Sequence, residues 1–219
     1  MIYDIDIAKQ VAKYLLQINA IILKPNNPFL WAAGWNSPIY CDNRKTLSYP
    51  EIRNYIRQGL SAIVKNHYKG ANVIAGVATA GIPHGALVAE ELGLPFIYVR
   101  AKAKEHGKQN QIEGHFEEGQ SVVLVEDLIS SGKSSLDAAR VLKEAGMQVK
   151  GIVSIFTYGF DAAAENFKNA DCEYVSLSDY NTLLPQAIES QYIEESDLAI
   201  LKQWRENPSI WKFMAPTNQ

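Results

Sequence analysis

Cysteine is nearly absent from this chain: two in 219 residues, Cys41 and Cys172. That excludes a disulfide framework, and neither residue has the spacing of a metal-ligand set. The pair fits a reducing compartment. Net charge is small too, with 21 Lys and Arg against 24 Asp and Glu. No global field draws such a chain to nucleic acid or to a membrane surface. An anionic ligand must then be held by a local basic cluster or by backbone dipoles. No apolar run approaches the length of a membrane span. The opening MIYDIDIAKQ carries acids and no apolar signal core, so a cytoplasmic protein is expected. Repeats, low-complexity tracts and obvious linkers are missing as well, which favours one domain.

What is present alternates. Residues 5–22 have helical apolar spacing through Ile7, Val11, Tyr14, Leu15 and Ile18. Residues 28–42 place Phe29-Leu30-Trp31 and Pro38-Ile39-Tyr40 around a Gly-Trp-Asn turn, which predicts a hairpin. A helix over 50–66 starts well at Pro50. Apolar runs then recur at 73–77, 95–100, 122–126, 150–158 and 174–177, separated by helical patterns. This predicts an α/β fold with a mostly parallel sheet covered on both faces. Two helices, 179–188 and 194–206, close the chain. The expected organisation is an N-terminal helix and hood to about residue 48, a core over 70–178 and C-terminal helices over 179–219. The polar stretch 101–120, AKAKEHGKQNQIEGHFEEGQ, has no periodicity; its place after a strand reads as functional.

The stretch VVLVEDLISSGKSSL, 122–136, carries the chemistry. A nucleotide phosphate loop needs glycine where Asp127 stands, so that reading is weak. The run instead predicts a strand ending at Val125, with Glu126 and Asp127 at its carboxyl end, where open α/β sheets place ligands. Ser130, Ser131, Gly132 and Ser134 then open a helix over 134–145. Small side chains leave backbone amides uncovered at a helix N-terminus, an anion cradle sized for one phosphate. Two carboxylates beside it suit a vicinal diol. Together they describe a pocket for a ribose 5-phosphate.

The same stretch resembles the phosphoribosyl-pyrophosphate (PRPP) motif of type I phosphoribosyltransferases, and three others narrow the likeness. NSPIYCDNRKTLSYPEIR (36–53) resembles the hood of the orotate phosphoribosyltransferases, VIAGVATAGIPHGA (73–86) their pyrophosphate-side loop, and VRAKAKEHGKQNQIEG (99–114) their mobile catalytic loop. The resemblance covers most of residues 25–160. It implies a type I phosphoribosyltransferase-like core, Mg²⁺ held mainly by PRPP, and a homodimer whose loops close over each other's sites. It implies that Glu126 and Asp127 hold the ribose hydroxyls, and that Leu128, Ile129, Ser130, Ser131, Gly132, Lys133 and Ser134 form the 5-phosphate cradle. Arg100, Lys104 and His106 would grip the pyrophosphate, with Lys104, His106 and Asp127 counted as catalytic. Ser130 and Tyr40 would touch orotate.

The chain departs from that pattern in four places. Relatives carry Lys where this chain has Asn36, Ala80 or Ala101, and Arg in the neighbourhood of Tyr158; Lys102 stands one residue beyond Ala101. The sequence therefore assigns no cation to the orotate carboxylate. Cys41, Cys172, His67, His84 and His115 read as packing or surface residues, and Trp31 and Trp35 as hood cover. Two other readings stay open: transfer to another nucleobase, and a PRPP-sensing regulator without catalysis.

Overall fold

The computed structural model describes residues 1–31, 34–102 and 111–212. Its centre is a six-stranded sheet. In chain order the strands are β5 (Val73–Val77), β6 (Phe96–Val99), β7 (Ile112–Glu113), β8 (Ser121–Ile129), β9 (Gln148–Thr157) and β10 (Tyr174–Asp179). Their order across the sheet is β10-β9-β8-β5-β6-β7, parallel except for the edge strand β7. The chain turns one way from β5 to β6 and the other way from β8 to β9 and β10. Right-handed crossovers then send helices to opposite faces, and the β5/β8 boundary becomes the switch point where such sheets bind ligands.

The central strands are apolar on both sides because both sides are covered. One face carries α1 (Ile5–Gln17), α2 (Pro50–Asn66), α3 (Gly81–Leu92), α6 (Tyr180–Glu189) and α7 (Leu198–Glu206), packed on Val123, Val125, Val153 and Leu177. The other carries α4 (Lys133–Glu144) and α5 (Asp161–Asn169), packed on Val122, Leu124 and Ile152. No helix among the described residues is long and apolar enough to cross a membrane.

Three expectations need correction. The first helix stops at Gln17, because Asn19 takes a left-handed φ of 53° and the chain turns into strand β1, Ile21–Leu23. The hood is two ladders rather than one hairpin. Strand β2 (Phe29–Leu30) pairs with β3 (Asn36–Ser37), while β4 (Ile39–Cys41) pairs with β1. The Trp31 amide donates to Trp35 O (2.8 Å) and sets that register. Finally, β8 does not end at Val125. It runs to Ile129 because Leu128 and Ile129 go on pairing with Phe156 and Thr157 of β9.

Candidate active site

The extension of β8 puts both acids inside the strand, in register with β9. Glu126 pairs with Ser154 and projects to the α4 face, where it is 5% exposed. Its Oε2 accepts from Ser135 Oγ (3.0 Å) and Ser134 Oγ (3.4 Å), and its Oε1 from the Asp127 amide (3.0 Å). Asp127 is half-buried, and its carbonyl accepts from Asn43 Nδ2 at 2.7 Å. Burial pushes the Glu126 carboxyl well above the usual carboxylate range, and the charge of Asp127 pushes the same way. Burial raises Asp127 as well. A buried acid beside a half-buried one resists double ionisation, so the pair favours a ligand that brings hydroxyl donors or a cation.

Residues 130–132 then turn the chain into α4. Gly132 is the N-cap, at φ 78°, a conformation that disfavours any side chain. A Cβ there would collide with the Phe167 ring of α5. The turn is held from α5 by Asn166 Nδ2, which donates to Ser131 O (3.0 Å). Among the described residues no side chain caps α4, so its first amides face outward with the positive end of the helix dipole. These residues line one side of a cleft of about 460 Å³. Leu128, Ser130, Ser131, Gly132, Lys133 and Ser134 all contribute, whereas the Ile129 side chain is fully buried in the core below.

Across the cleft stand the ends of β5 and β6. Val77, Ala78, Val99 and Arg100 line it. The loop after β5 crosses close over β8: a Cβ on Gly81 would meet the Val125 carbonyl, so only glycine fits. Arg100 Nη1 is buried, lacks a hydrogen-bond partner among the described residues and lies 3.8 Å from Glu113 Oε1. A partly exposed guanidinium at the rim of such a cleft is a good anion ligand.

The hood approaches from the other face. β4 brings Tyr40, which is 40% exposed and 5.6 Å from the Phe29 ring. Cys41 donates through Sγ to Asn43 Oδ1 (3.3 Å). Burial pushes its thiol up, as do the charges of Asp127 and Asp42, which argues against a nucleophilic role. Tyr158 is buried in an aromatic cluster, its hydroxyl pushed up by burial and by Cys41, Tyr180, Asp127 and Tyr40. His84 is buried, and loss of solvent lowers its pKa to about 4, so it packs as a neutral ring.

The cleft thus brings together the 130–134 turn and Arg100; Glu126, Asp127 and Tyr40 do not line it, and Glu126 reaches its wall through Ser134. Lys104 and His106 lie outside the described residues. Sequence reasoning missed Asn43, Ser135 and Arg205, whose guanidinium donates to the Gly159 and Tyr158 carbonyls at 2.6 and 3.3 Å. The serine run after Gly132 was the one available signal for Ser135.

Comparison with known proteins agrees with this geometry. The phosphoribosyl transferase domain family matches residues 48–183. Orotate phosphoribosyltransferase of Cytophaga hutchinsonii is 53% identical over 93% of this chain and 98% of its own. That of Bacillus subtilis is 55% identical over 92% of this chain and 94% of its own. The crystal structure of orotate phosphoribosyltransferase from Aeropyrum pernix superposes with a TM-score of 0.72 at 27% identity, covering 83% of this chain and 98% of that one.

Proposed function

The chain belongs to the orotate phosphoribosyltransferase family, and from that membership we propose how its residues transfer the 5-phosphoribosyl group of PRPP to orotate, giving orotidine 5′-monophosphate and pyrophosphate in pyrimidine nucleotide synthesis. The observation that carries the reading is the uncapped start of α4 beside a buried acid pair. The amides of residues 131–135 take the 5-phosphate. Asp127 takes the ribose diol. Glu126, with both oxygens engaged by Ser134, Ser135 and the Asp127 amide, holds the strand end that presents it. Arg100 and the loop after β5 take the pyrophosphate, joined by Lys104 and His106. Orotate lies between Ser130 and the hood at Tyr40.

The reaction breaks the C1–O bond to pyrophosphate and forms a bond from C1 to orotate N1. The N1 proton leaves to solvent as that bond forms. Arg100, Lys104 and His106 meet the negative charge that develops on the leaving oxygens. The Asp127 carboxylate at the sugar favours its oxocarbenium character. The connection between β6 and β7 that carries Lys104 and His106 keeps water from that cation.

Mg²⁺ fits this donor set. Among the described residues no group of three or more Asp, Glu, His or Cys side chains gathers to hold a metal, and Asp127 is the acid left to face one. The remaining oxygen ligands come from PRPP and water. When bound, Mg²⁺ would supply charge neutralisation to the ribose and pyrophosphate oxygens. A homodimer with shared sites and a cytoplasmic setting complete the proposal; two free thiols suit the latter.

The test is orotate absorbance after mixing with PRPP and Mg²⁺. The reading expects it to fall as product forms. A flat trace with orotate, and loss of a purine or uracil signal instead, would reassign the base; no change with any base would favour a sensor.

A further inference from the structure

We infer that the C-terminal helix α7 positions the nucleobase pocket, with Trp204 and Arg205 acting on it through Trp31 of the hood and the end of β9. The inference rests on the orotate reading above.

Trp204 is fully buried, yet its indole Nε1 has no hydrogen-bond partner among the described residues. A bare buried donor is costly, and a phenyl ring would avoid it. What the larger ring gains is reach. Its centroid lies 5.7 Å from Trp31, 5.7 Å from Tyr158, 5.5 Å from Phe160 and 5.6 Å from Tyr180. The edge-to-face pairs among these are favourable beyond simple burial. One side chain thus joins the hood, the end of β9 and the start of α6.

Two polar links fix what the rings hold. Trp31 Nε1 donates to Ile39 O at 3.2 Å, at the start of β4 and next to Tyr40. Arg205 donates to the Tyr158 and Gly159 carbonyls, which immediately follow β9. From the hood, Asn43 accepts from Cys41 Sγ of β4 and donates to the Asp127 carbonyl at 2.7 Å; from the sheet, the Tyr158 amide donates to Ile129 O, two residues beyond Asp127, at 3.2 Å. The route from α7 to the pocket is therefore Trp204 to Trp31 to the Ile39 carbonyl, and Arg205 to the Tyr158 backbone. The phosphate cradle, built on α4 and α5 across the sheet, takes no part in it.

The experiment is steady-state kinetics on Trp31→Phe, Trp204→Phe and Arg205→Gln at a temperature below the lowest melting point. Trp31→Phe deletes the bond to Ile39 O, which keeps its bond from Ser37 Oγ at 2.8 Å, and shortens the ring that meets Trp204 and Tyr158. It should raise KM for orotate about three- to tenfold, the scale of one net hydrogen bond. Changes in kcat and in KM for PRPP should stay within about twofold. Arg205→Gln should move the same constant. The double variant Trp31→Phe/Trp204→Phe should raise orotate KM by less than the product of the singles, because both act on one link. Leu60→Ala, in the same core on α2, should lower the melting temperature and leave orotate KM in place.

Unchanged orotate KM in Trp31→Phe and Arg205→Gln overturns the inference, even if Trp204→Phe fails to fold. So does an equal rise for both substrates, or the same rise in Leu60→Ala. Wild-type enzyme that consumed no orotate would overturn the base assignment and this inference with it. Wild-type turnover with unmoved variants overturns the inference alone.

Discussion

Replacing Gly132 with alanine strikes the cradle at its tightest point. The residue sits at φ 78° and ψ 1° as the N-cap of α4. An alanine held in the left-handed region costs about 1–2 kcal/mol. Its Cβ would also press on the Phe167 ring, with Cδ2 at 3.0 Å and Cε2 nearer still. Forcing a methyl into a packed site adds about 1–3 kcal/mol. The two terms sum to about 2–5 kcal/mol, a fall in melting temperature on the order of 10 °C for a chain of this size. Part of the strain will relax by rotation of residues 131–133, which misaligns the amides offered to the phosphate. Losing one such charge-assisted bond is worth about 1.5–3 kcal/mol, so KM for PRPP should rise about 10- to 100-fold. Thermal melts with and without PRPP, and KM for each substrate, make the assay. Phe167→Leu in the Gly132→Ala background should restore part of the melting temperature. An alanine variant with wild-type melting and wild-type PRPP KM would refute both the steric argument and the cradle.

Three other outcomes follow from the same geometry. The folded pKa of Glu126 is raised, so its stabilising contribution is full below the ordinary value of 4.5 and is lost as pH rises through the raised value. Ligand-free Glu126→Gln should therefore melt with wild type near about pH 4 and above it near about pH 8; parallel curves would show the carboxyl to be unperturbed. Asp127→Asn should weaken PRPP binding about tenfold or more in a calorimetric titration, the scale of a hydrogen bond to a charged group, and wild-type affinity would remove Asp127 from the diol. Lys104→Ala should lower kcat about 10²-fold, and an unchanged kcat would remove Lys104 from the mechanism.

The readable parts of the chain are those where local pattern and tertiary role agree. VIAGV is uniformly apolar because β5 is buried on both faces, and the strand occupies those five residues. Pro50 opens α2 as its fixed φ predicts. The acids and small residues of 126–134 were legible because strand, turn and helix start follow one another without interruption. β1 was hidden because Ile21–Leu23 continues the apolar spacing of α1, and only Asn19 breaks the helix. The end of β8 was misplaced because two acids look like a strand boundary, yet pairing with β9 carries the ladder four residues further. Asn43, Ser135 and Arg205 matter through partners 84, 9 and 46 residues away, which no local pattern announces. The same holds for Trp204, whose ring meets the hood only after the C-terminal helix has folded back.

The most direct test of the account is a crystal structure of the enzyme with PRPP bound. The prediction is a 5-phosphate whose oxygens lie about 2.7–3.2 Å from amide nitrogens of residues 131–135, with the ribose hydroxyls at the Asp127 carboxylate. A phosphate seated elsewhere, with that turn free of ligand, would contradict it.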